Sequence, residues 1–161
     1  MRPAFPLCLL LAGLAGCATH GYTSDAPNNL TVHAEIESSL FRISGAHLDI
    51  LDYREGQACG GDYLGTLDLD EHPVQAGLPT GRKTVLRFVL GLRGKGRGAF
   101  SSERAFTKVH WAGILTPRPG AQYVARVKYD GDMYEVHLQE VNSRGAVVRE
   151  FERQQIGCEA E

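Results

Sequence analysis

Residues 122–141 read QYVARVKYDGDMYEVHLQEV, two runs of alternating apolar and polar residues on either side of Asp130 and Gly131. Tyr123, Ala125, Val127 and Tyr129 fall on one face of the first run, and Tyr134, Val136 and Leu138 on one face of the second. A period of two marks a half-buried strand, because successive side chains of an extended chain point to opposite sides. An Asp-Gly pair between two such runs predicts a hairpin, since a type I′ turn needs positive φ at both central residues. The stretch therefore predicts an antiparallel pair with one wet face.

The same alternation appears upstream. In LTVHAEIE, residues 30–37, Leu30, Val32, Ala34 and Ile36 oppose Thr31, His33, Glu35 and Glu37. AHLDILDY, residues 46–53, places Leu48 and Ile50 on one face and His47, Asp49 and Leu51 on the other, with Gly45 expected to mark a turn. GDYLGTLDL, residues 61–69, reads as a weaker strand. After a turn at Pro79, Thr80 and Gly81, Val85 to Leu90 is apolar except for Arg87, as a central strand covered on both faces would be. SERAFTKVHW, residues 102–111, resumes the strand pattern, and AVVREFERQ, residues 146–154, follows a turn at Gly145. Seven or eight short strands, with no stretch holding a helical period over three turns, predict an all-β chain. The expected fold is an antiparallel two-sheet β-sandwich, immunoglobulin-like or transthyretin-like, with a small closed barrel as the second architecture.

The amino end has a different character. Residues 1–16, MRPAFPLCLLLAGLAG, carry one charge at Arg2, an apolar stretch from Phe5 to Leu14 and small residues before Cys17. That is an export core, too short for a permanent span of about 20 apolar residues. Leu14, Ala15, Gly16 and Cys17 resemble the lipobox of bacterial lipoproteins, a resemblance confined to the first 17 residues. It implies cleavage before Cys17 and covalent lipid on that cysteine, with no other cofactor expected. Ala18, in the position that influences sorting in that family, implies an outer-membrane location facing the periplasm. The expected organisation is a signal peptide over 1–16, a lipidated flexible tether over 17–29, polar and aperiodic in ATHGYTSDAPNN, and the sandwich over 30–161.

Loss of the signal leaves 145 of 161 residues, enough for one domain with a real core. Arg2 leaves with it, taking the formal charge from −2 to −3, so nucleic acid is not an expected partner. With Cys8 discarded and Cys17 acylated, Cys59 and Cys158 are the thiols left in an oxidising compartment and are expected to pair. Their spacing is not that of a redox Cys-x-x-Cys motif.

Chemistry is sparse. His20, His33, His47, His72, His110 and His137 show no HExxH or close His-x-His spacing and read as surface residues. His33 with Glu35, and Glu135 with His137, lie at i and i+2 on single strand faces; were those strands neighbours, a mixed carboxylate and imidazole site would form. Asp68 to His72 lacks the spacing of an EF-hand loop and reads as a solvated strand end. The glycine-rich loop GLRGKGRGAF, residues 91–100, is not a Walker loop; its Arg93, Lys95 and Arg97 are candidates for contact with anionic headgroups or a partner. The serine pairs at 38–39 and 101–102 stand beside no identifiable base. His110 is a candidate pocket residue beside Trp111, a candidate core anchor. The expectation is a non-catalytic, lipid-anchored binding or scaffold module for another envelope protein, with a periplasmic metal or small-ligand binding protein as the alternative.

Overall fold

A computed structural model describes residues 20–37, 41–70, 73–94 and 106–156. Among them are nine strands: β1 (Leu30–Ile36), β2 (Phe41–Tyr53), β3 (Gly61–Asp68), β4 (Val74–Ala76), β5 (Thr84–Gly94), β6 (Phe106–Leu115), β7 (Gln122–Tyr129), β8 (Tyr134–Val141) and β9 (Val147–Phe151). They form a five-stranded sheet, β4-β1-β7-β8-β9, and a four-stranded sheet, β3-β2-β5-β6. The chain is an all-β, two-sheet sandwich.

The alternating residues do what their period requires. Leu30 and Val32, Tyr123 and Ala125, and Leu138 face Leu48, Ile50, Leu86, Phe88 and Trp111 across the interior. Phe88 and Trp111 meet edge to face with ring centroids 5.7 Å apart, a favoured arrangement of ring quadrupoles. β5 is central and apolar on both sides because its other face, through Val85, joins Leu51 and Ala112 in a second, smaller cluster outside the sandwich.

Four features depart from the sequence reading. The β7–β8 hairpin forms, but Tyr129 pairs with Tyr134 across four residues, where a two-residue turn would pair it with Asp132. Gly131 has positive φ (98°) and Asp130 does not; Asp130 Oδ1 instead accepts the amides of Asp132 and Met133, each at 3.2 Å. The Asp side chain closes the turn by accepting backbone amides, an Asx-type solution. Gly45 lies inside β2, at a bulge between Ile43 and Gly45, and not in a turn. β1 and β7 pair in parallel, so the sandwich is not wholly antiparallel. β4, three residues long, was too short to show a period.

The fourth departure is the tether. From His20 onward it is docked. Tyr22 donates its amide to Thr66 O (2.9 Å), Thr66 donates to His20 O (3.0 Å), and the Tyr22 hydroxyl reaches Gly77 O (2.8 Å). Buried Asn29 bonds both ways with Leu78, accepting its amide at 2.7 Å and donating to its carbonyl at 2.9 Å. A polar, aperiodic composition describes a free linker equally well as a segment whose polar groups satisfy the edges of a sheet.

Candidate functional site

The side chains between the sheets are apolar, and the groups able to do chemistry lie on the outer faces. On the four-stranded sheet, Asp49 of β2 points outward yet is only 4% exposed. It stands directly opposite Arg87 of β5 on one side and Thr66 of β3 on the other. Arg87 donates to Asp49 Oδ2 from Nε (3.0 Å) and Nη2 (2.7 Å), and Thr66 donates its hydroxyl to Oδ1 (2.5 Å). The Tyr63 hydroxyl lies 2.5 Å from that of Thr66, and His47 Nε2 lies 3.7 Å from Oδ1. Both carboxylate oxygens are therefore engaged, and the charge is balanced where it is buried, as a desolvated carboxylate requires.

Beside this network the carboxyl-terminal segment crosses the sheet. Gln154 donates its amide to Ala112 O (2.8 Å) at the edge of β6, Arg153 Nη2 donates to His110 O (2.8 Å), and Ile156 packs on the Leu51, Val85 and Ala112 cluster. This strap leaves a cleft of about 590 Å³ lined by Arg87, His110, Ala112 and residues 153–156. Neither ring nitrogen of His110 has a hydrogen-bond partner among the described residues, although both are buried. Burial, followed by the charges of Arg87 and Lys108, holds its pKa below the usual histidine value, with Asp49 opposing. The cleft therefore favours the neutral imidazole.

The sequence-predicted residues are distributed differently. Cys17, Lys95, Arg97 and Cys158 lie outside the described residues, as do the serine pairs, Glu71 and His72. Arg93 is exposed near the end of β5. Cys59 sits in the turn between β2 and β3 with φ 60°, followed by Gly60, whose missing side chain would come within 3.3 Å of Ile156. Trp111 is in the core, and its neighbour His110, on the opposite face, lines the cleft.

The strand faces considered for a mixed His and carboxylate site are not neighbours, because β7 lies between β1 and β8. Arg126 stands opposite both His33 and His137, and Lys128 opposite both Glu35 and Glu135. Arg126 and Lys128 thus stand between the two faces, and Arg126 donates to Gln139 Oε1 at 3.1 Å. His137 instead pairs with Glu150 of β9 at 3.0 Å. Asp68 Oδ1 accepts the Asp70 amide at 3.0 Å, closing a turn at the end of β3.

Sequence reasoning missed Asp49, Thr66, Tyr63 and Arg153. A signal existed for the first: Asp49 lies among Leu48, Ile50 and Leu51, and Arg87 within the apolar run from Val85 to Leu90, and opposite charges so surrounded need each other. No protein-family model, curated protein or solved structure matches this chain.

Proposed function

We propose that the chain is a lipid-anchored protein of the bacterial envelope, acylated on Cys17 at the outer membrane and facing the periplasm, that binds another envelope component without catalysing a reaction. The observation that supports the binding reading is the cleft under the strap. There, Arg87 from β5, His110 from β6 and Arg153 from the strap converge on an open, partly apolar surface. The hydroxyls of Thr66 and Tyr63, linked to Arg87 through Asp49, are held in a chain of bonds, which suits a rigid platform better than a nucleophile. The Cys59–Cys158 bond belongs to the same proposal. The packing of Ile156 against Gly60 supports it by bringing the chain two residues before Cys158 to the residue after Cys59.

A photo-reactive residue at Gln155 tests the binding reading in intact cells. A discrete crosslinked species that weakens in an Arg153→Ala background is expected; equal crosslinking in both backgrounds, or none, contradicts it. The second reading, small-ligand binding, rests on the same cleft, whose volume falls in the range of about 300–1,000 Å³ typical of such sites.

A further inference from the structure

The docked amino-terminal segment fixes more than the position of a linker. Gly21 bridges Thr66 in parallel, so His20–Tyr22 forms a short extra strand on the outer edge of β3. If Cys17 carries the lipid, only Ala18 and Thr19 separate it from this docked segment. Three residue steps reach at most about 10 Å even when fully extended. The headgroup layer is itself about 5–8 Å deep on each side of a bilayer. A free tether of a dozen residues would instead wander over roughly 20 Å. The edge of β3 therefore has no room to stand clear of the membrane surface.

That edge is built to meet it. Between Ile50 and Leu51 the register of β2 on β3 slips, and Leu64 is the extra residue of the resulting bulge. Leu64 is 38% exposed and Tyr63 beside it 45%. The Tyr63 hydroxyl lies 3.4 Å from the carbonyl of His20, which places this pair next to the first docked residue. An aromatic ring with a polar tip and a leucine suit the boundary between headgroups and acyl chains.

We infer that the acylated amino end holds the β3 edge against the bilayer, with Tyr63 and Leu64 seated in the headgroup layer. This rests on the acylation of Cys17 proposed above. β6 contacts β8 and β9, so β9 and the strap over β6 lie at the side of the sandwich opposite β3 and face away from the membrane. Of the other exposed apolar residues, Met133 lies in the β7–β8 turn, and Val147 and Val148 on β9 then face the periplasm. Arg93 lies six residues along β5 from the Asp49–Thr66 level, about 20 Å, and two strands in from the β3 edge. It is thereby placed for a partner rather than for headgroups.

The test uses the full chain, produced with its signal in a bacterial host and reconstituted in phosphatidylethanolamine and phosphatidylglycerol vesicles containing brominated acyl chains. Leu64→Trp and Val148→Trp each add one tryptophan to the buried Trp111. The added emission at position 64 is expected to be mostly quenched by bromine and that at position 148 to be unchanged. Acylated protein, verified by intact mass, in which both positions or neither are quenched overturns the orientation and leaves the anchor standing. An intact mass without acyl chains on Cys17 overturns both.

Discussion

Asp49 is buried with Arg87 and Thr66 on its two oxygens, so removing either partner strands a desolvated charge. Breaking a fully buried pair costs about 3–5 kcal/mol. The Arg87 side chain is 20% exposed, so water can partly replace it and the smaller range of about 1–3 kcal/mol for an unsatisfied buried group applies. Arg87→Ala is expected to lower the urea midpoint accordingly, and the Asp49→Leu, Arg87→Met double variant to recover most of the loss. A double variant no more stable than Arg87→Ala would show that the pair does more than cancel charge. His110 gives the molecule a pH dependence of definite sign. Its folded pKa is depressed, so the unfolded chain takes up its proton first as pH falls below about 6.5. Stability is therefore lost as pH falls from that value through the folded pKa, and is flat above it. Urea unfolding of wild type and His110→Gln at pH 7.5 and 5.5 should show a smaller loss in the variant. Equal losses would remove His110 from the explanation. His110 was legible as a pocket residue beside a core tryptophan, but its unpaired nitrogens were not, because they depend on which strands and which strap lie beside β6.

At the scale of elements, the strands were legible wherever one face met the core and the other met water. Leu48 and Ile50 in β2 and the alternating arms of β7 and β8 follow from the period alone. What alternation does not encode is partnership. The parallel β1–β7 pair, the three residues of β4 and the docking of residues 20–29 are long-range choices made by hydrogen bonds, and polar residues such as Asn29 carry them without any periodic signal. Glycines at close approaches mark the docking. A side chain on Gly65 would come within 2.6 Å of the Tyr22 backbone, and one on Gly77 within 2.0 Å of the Ala26 carbonyl. Gly65→Ala is expected to free the segment while sparing the core. Amide exchange should accelerate at Tyr22 and Thr66 and stay slow in β5. Unchanged protection at Tyr22 would show that the segment is held by something other than this edge.

For the whole molecule, the two sheets and the two proposed covalent attachments divide the work. The sandwich core sets the fold, the carboxyl-terminal strap covers the second cluster, and the Cys59–Cys158 bond would close a loop of about 100 residues around it. In the chain-entropy account such a loop contributes roughly 4–5 kcal/mol, an upper figure for a bond of this kind. Cys59→Ser is expected to lower stability by about 2–5 kcal/mol, and alkylation of unreduced mature protein to label no thiol. Two labelled thiols would remove the staple. The fold was largely legible because its pattern is local. The cleft was not, since Arg87, His110 and Arg153 belong to three elements brought together only by the strap. All of the envelope biology proposed for this surface follows from the chemistry of one residue, and labelled palmitate tests it directly. Incorporation into the full chain in a bacterial host, lost in Cys17→Ala, is the expected result; no incorporation, or equal incorporation in both, would contradict the anchor and with it the membrane-facing edge.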